Sequence, residues 1–130
     1  LEDFCTTFQQ TVSNNLVRHS SILDTLTKCQ ESSARVNRAV AKAATSCGCI
    51  RICVEKQPIP ESMLLSDFKE SASSHIQGEL CDHCRDIVEV EIGNNLFYIT
   101  AMCELLGLQI QEVLQKENNR ASALGYFKLG

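Results

Sequence analysis

Four of the chain's eight cysteines stand in two tight pairs, Cys47-Gly48-Cys49 and Cys81-Asp82-His83-Cys84. Each spacing puts two sulfurs on one side of a metal ion, and a second pair completes the tetrahedral shell that zinc requires. If both pairs hold one ion, the loop 50–80 is pinned to the rest of the fold, which limits the available topologies severely. Cys5, Cys29, Cys53 and Cys103 are scattered, as small core residues are. Two other readings of the pairs stay open: unligated thiols, and redox work by Cys81 and Cys84. A redox pair usually follows a strand in a βα unit, which this sequence lacks. His83 could replace one sulfur, although a residue between two ligand cysteines more often points away. Arg85 stands where a c-type haem attachment site needs His. Zinc bound by Cys47, Cys49, Cys81 and Cys84 has no open coordination position, so its role is structural.

The sequence around the pairs reads as helix. Residues 2–47 contain neither Gly nor Pro, and Phe4, Phe8, Val12 and Leu16 recur every four residues. Ser21 followed by Asp24 is an N-cap with an acidic third residue. These signals predict helices over about 3–19 and 21–46, or one long bent helix, ended by Gly48. Residues 50–60 alternate briefly and then meet Pro58 and Pro60, which predicts a short extended stretch and a loop. A short helix is expected over 62–75, with Met63, Leu64 or Leu65, and Phe68 inward. From 82 to 106, the series Val88, Ile92, Leu96, Ile99, Cys103, Leu106 traces a bundle seam, and Gly107 supplies a left-handed stop. A last helix over 108–124 carries Ile110, Val113 and Leu114 on one side. The expected fold is all-α: one domain over 1–130, an antiparallel bundle of four to five helices with an irregular or extended loop at about 50–60.

Composition excludes several classes of function. At 130 residues, 44% hydrophobic and 22% charged, the chain is that of an ordinary globular domain. No apolar run approaches the ~18 residues of a membrane span, and no signal-peptide pattern opens the chain. Together with tight cysteine pairs of metal-ligand type, this points to the cytoplasm. Twelve Lys and Arg against sixteen Asp and Glu, with no Trp, argue against general nucleic-acid binding. The charges are segregated, however. Lys28, Arg35, Arg38, Lys42 and Arg51 face one acid, Glu31, whereas Glu79, Asp82, Asp86, Glu89 and Glu91 face one base, Arg85. The two groups either build an anion site beside a cation site, as a nucleotide–metal pocket requires, or pair across the bundle, or are solvated. There is no G-x-x-x-x-G-K-[ST] phosphate loop, no G-x-S-x-G elbow and no H-x-x-x-H pair.

The stretch from Glu91 to Leu114, EIGNNLFYITAMCELLGLQIQEVL, resembles the MazG-like all-α nucleoside triphosphate pyrophosphohydrolases. In that family an E-x-x-D helix leads into an apolar run, a Leu-Gly-Leu-like break and a helix opening with E-E-V-L. Lys28-Cys29-Gln30-Glu31 is similar to the start of the family's E-E-x-x-E motif. The resemblance implies Mg²⁺ bound by Glu31 and Glu91, with Asn94 as an auxiliary ligand where the family has Asp. Ser32 and Arg35 replace the other two acids, so the implied magnesium site is degenerate. Arg35, Arg38 and Lys42 become the candidate phosphate contacts. The implied reaction is hydrolysis of a nucleoside triphosphate to the monophosphate and pyrophosphate. A nucleotide or phosphorylated ligand, and a homo-oligomer formed by packing of helices, are the partners expected on this basis. The alternative is a non-catalytic, zinc-stabilised helical module for interaction or oligomerisation.

Overall fold

The computed structural model describes residues 3–16, 21–56 and 73–124. It is an all-α helical bundle with one small sheet. The helices are α1 (Phe4–Asn15), α2 (Ile22–Lys42), α3 (Asp82–Leu105) and α4 (Ile110–Leu124). A single π-helical turn, Ala43–Cys47, prolongs α2, and the strands β1 (Ile50–Ile52) and β2 (Ile76–Gly78) lie between α2 and α3. The expected helix over 62–75 falls mostly outside the described residues. Its last residues, 73–75, are not helical, and His75 has φ 63°.

The helix boundaries follow from caps legible in the sequence. Ser21 accepts a hydrogen bond from the Asp24 backbone N–H and so satisfies one orphan donor of the first turn. Gly48, at φ 81°, supplies the left-handed residue that ends the π turn, and Gly107, at φ 72°, follows α3 in the same conformation. The extended stretch expected after Gly48 is β1. It pairs antiparallel with β2, placing Ile50 opposite Gly78, Arg51 opposite Gln77 and Ile52 opposite Ile76.

The main helix contact is between α2 and α3. Cys47, just past α2, meets Cys81, just before α3, while Ser32 of α2 meets Asn95 of α3. Moving back along α2 therefore means moving forward along α3, so the two helices run antiparallel. Asn95 clamps them: its Nδ2 donates to the Ser32 hydroxyl at 2.9 Å and to the Cys29 carbonyl at 3.3 Å. At the far end, the buried Gln9 side chain of α1 makes three bonds. Its Nε2 donates to the Glu104 carboxylate and the Leu108 carbonyl, both at 2.8 Å, and its Oε1 accepts from the Ile110 N–H at 2.7 Å. One amide thus ties α1 to the end of α3 and the start of α4.

The seam expected along α3 is corrected. Val88 and Cys103 are buried, but Ile92, Leu96 and Leu106 are 43%, 48% and 56% exposed. The opposing face of α2 carries the buried Thr25 and Ser32, so α3 turns Asn95 toward it rather than Ile92 or Leu96. Likewise α1 buries Val12 and Gln9, whereas Phe4 is exposed. Among the described residues, more large apolar side chains are exposed than buried.

Candidate metal centre

The sulfur cluster is assembled by three local devices. The last turn of α2 closes with an i to i+5 bond, the Gly48 N–H donating to the Ala43 carbonyl at 2.9 Å. One additional residue is thereby admitted to the turn, which ends on Cys47. Gly48 then reverses the chain and delivers Cys49 beside the same carbonyl, its sulfur 3.7 Å from the Ala43 oxygen. On the other side, Cys81 is the N-cap of α3, where its sulfur accepts from the Cys84 N–H at 3.4 Å. Ala43, Ile50 and the buried Cys84 form an apolar cluster, with Ala44, Cys49, Leu80 and Cys81 packed against it.

The sheet holds the two halves together. At Gly78, φ is 86° and a Cβ would lie 2.6 Å from the Cys49 carbonyl oxygen. Only glycine lets β2 approach the Cys47–Cys49 turn this closely.

The outcome is that the sulfurs of Cys47, Cys49, Cys81 and Cys84 all lie within 4.8 Å of one another, so these four residues could hold a metal ion. Cys47 and Cys81 are 3.8 Å apart. A tetrahedron with Zn–S bonds of ~2.3 Å has edges of about 3.8 Å. No disulfide forms among the described cysteines. The thiols differ in acidity. The backbone N–H of Cys84 is the main influence holding the Cys81 thiol down to about 7, whereas burial pushes Cys84 up to about 12. His83, between the two, is exposed and does not join the cluster.

The other candidate residues do not come together in one place. Glu31, Arg35 and Asn94 line a polar recess of about 190 Å³ together with Lys28, Ser32 and Tyr98. Within it Arg35 donates to the Glu31 carboxylate at 2.9 Å, both side chains remaining about half exposed. Glu91 and Arg38 are not among the lining residues, and Lys42 instead lines an apolar groove beside the sulfur cluster. The two ion pairs that described residues make with one another, Arg35–Glu31 and Arg120–Glu117, each lie within one helix. The basic face of α2 and the acidic face of α3 therefore do not pair across the bundle. Sequence reasoning did not place Tyr98 in the recess, nor foresee the groove, since both depend on which flank of α3 is left uncovered by α2.

No helix of the described residues is long and apolar enough to cross a membrane. No family model matches the chain, and no curated protein or solved structure shows significant similarity to it.

Proposed function

We propose that the protein is a non-catalytic helical interaction module held in shape by one structural zinc ion. The observation that carries this reading is the convergence of Cys47, Cys49, Cys81 and Cys84, with all four sulfurs within 4.8 Å. Four thiolates this close together suit zinc and suit magnesium poorly. Four sulfurs also leave no position for water or substrate, so the ion contributes folding energy rather than Lewis-acid chemistry. Eight free thiols and a thiolate site suit a reducing compartment, the cytoplasm in this reading. A bundle with so many uncovered apolar side chains is built to be covered by another chain.

Metal analysis of protein purified without chelator tests the proposal. One zinc per chain is expected, with Cys47, Cys49, Cys81 and Cys84 unreactive to a thiol reagent until a chelator is added. Metal-free, folded protein in which Cys81 reacts immediately would overturn it.

A second reading rests on the polar recess. Lys28 and Arg35 supply positive charge there, and Ser32, Asn94 and Tyr98 supply hydrogen-bonding groups, a set that suits a phosphorylated ligand. On the MazG-like reading, this ligand is a nucleoside triphosphate cleaved to the monophosphate and pyrophosphate. Glu31 and Glu91 then hold Mg²⁺, with Asn94 assisting and Arg38 or Lys42 contacting phosphate. The ion would have to draw Glu31 away from Arg35, which weakens this reading. Pyrophosphate release that requires Mg²⁺ or Mn²⁺ and vanishes in Glu91→Gln is the result expected of an enzyme. Folded protein inert toward a full panel of nucleoside triphosphates leaves the interaction module standing.

A further inference from the structure

The four clustered cysteines are unevenly open to solvent. Cys47 is exposed, Cys49 and Cys81 are half-buried, and Cys84 is buried with Ala43 and Ile50. Cys49 also turns its sulfur inward, 3.7 Å from the Ala43 carbonyl oxygen. The open sulfur of Cys47 lies 3.8 Å from that of Cys81. These two residues belong to different elements: Cys47 ends the π turn after α2, and Cys81 caps α3. They are 34 positions apart in the sequence.

We infer that the cluster is a redox-exchangeable clip: a peroxide joins Cys47 to Cys81 in a disulfide, zinc is released, and the same two elements stay linked by a covalent bond. The inference rests on the zinc reading and adds the regulation of that site.

The Cys47 thiolate is the one a dissolved oxidant reaches first. It attacks one oxygen of hydrogen peroxide, the S–O bond forming as the O–O bond breaks, and the departing hydroxide takes up a proton. Cys47 is then a sulfenic acid, oxidised by two electrons, and the peroxide has been reduced to water. The Cys81 thiolate attacks the Cys47 sulfur, the S–S bond forms and the S–O bond breaks, and the second hydroxide takes up a second proton. Two thiolates, one peroxide and two protons thus give one disulfide and two waters. Cys49 and Cys84 remain as thiols, too few to keep a zinc ion that needs four ligands. A bond between Cys81 and Cys84, the pair that spacing alone offers for redox work, would tie the start of α3 to itself and leave the turn after α2 unattached. Zinc slows attack on its ligands, as it does for a thiol reagent, so the exchange answers to excess peroxide and is reversed by a reducing thiol.

The test treats the full, zinc-loaded chain with excess hydrogen peroxide. Released zinc is read with a metal-sensitive dye, and the remaining thiols are alkylated before peptide mapping without reduction. Zinc release is expected together with a Cys47–Cys81 bridge and alkylated Cys49 and Cys84, and dithiothreitol with added zinc restores the starting state. Oxidised protein should keep more hydrogen-exchange protection in β1, β2 and the π turn than reduced protein stripped by a chelator, because the bridge remains. Cys47→His supplies a nitrogen ligand that cannot enter a disulfide, so release should slow about tenfold or more. If that variant binds zinc poorly, the bridge mapped in the wild-type chain decides alone. Cys5→Ser, on α1, should behave as the wild type does. A bridge within Cys81–Cys84 or Cys47–Cys49, oxidation without any bridge, or oxidised protein no better protected than stripped protein overturns the inference. Zinc measured before peroxide is added separates the two ideas: bound zinc that excess peroxide does not release refutes the exchange and leaves the metal reading untouched, whereas a chain that binds no zinc refutes both.

Discussion

Gly48 and Gly78 both take positive φ beside the sulfur cluster, yet their substitution should have unequal effects. A Cβ at Gly48 meets nothing within 4 Å, so Gly48→Ala costs only the left-handed backbone strain, about 1 kcal/mol. At Gly78 the added carbon would also collide with the Cys49 carbonyl, forcing β2 away from the turn that carries Cys47 and Cys49. Gly78→Ala is therefore expected to lower the melting temperature further than Gly48→Ala and to weaken zinc retention in a competition titration. The thiols also differ among themselves in the metal-free protein. With Cys81 held at about 7 and Cys84 pushed to about 12, Cys81 is largely thiolate at pH 8 and Cys84 is not. Alkylation followed by peptide mapping should label Cys81 well before Cys84. The Cys81 rate should fall about tenfold per unit as pH drops well below 7, because protonation removes the nucleophile. The four cysteines of the cluster were legible, since C-x-C and C-x-x-C spacings are local. The glycine that lets the pairs meet was not, because the close approach of Gly78 is to the Cys49 carbonyl, 29 residues away in the sequence.

At the scale of elements, Gln9 is the least expected of the fixed contacts. Sequence periodicity makes it a solvent-facing member of α1, between Phe8 and the polar Gln10. In the fold it is 4% exposed and satisfies the Ile110 N–H, an orphan donor of the first turn of α4. Gln9→Leu keeps the volume but leaves that N–H, the Leu108 carbonyl and the Glu104 carboxylate without it. The expected loss is about 2–3 kcal/mol in denaturant unfolding, with faster hydrogen exchange at the start of α4. Helix positions and caps were readable because Ser21, Gly48 and Gly107 act within a few residues. The inward faces were not. α3 carries apolar residues around much of its circumference, so Val88, Ile92, Leu96 and Ile99 trace a plausible stripe without saying what opposes it. The opposing helix decides, and α2 offers Ser32, which selects Asn95.

At the scale of the whole molecule, stability is divided between two ends of α3, whose 24 residues separate them by about 35 Å. The sulfur cluster joins the end of α2, the sheet and the start of α3, while Gln9 joins α1, the end of α3 and the start of α4. Between them, Asn95 and its two acceptors supply the polar clamp. Removing the metal should therefore act at one end first. Without zinc the Cys47–Cys49 turn is linked to the start of α3 by weak contacts among the four sulfurs, such as Cys47–Cys81, and by the small apolar cluster around Ala43, Ile50 and Cys84. The three-residue strands β1 and β2 are too short to hold that end by themselves. A chelator is expected to abolish hydrogen-exchange protection in β1, β2 and the π turn, and to shorten α3 from its N-terminus. Amides near Gln9 and through α4 should stay protected until denaturant is added. Stoichiometric zinc should restore the lost protection. Simultaneous loss at both ends would mean that the bundle unfolds as a single unit, as small domains often do. Loss confined to the cysteine end shows instead that the ion acts as a local staple on a helical frame that stands without it.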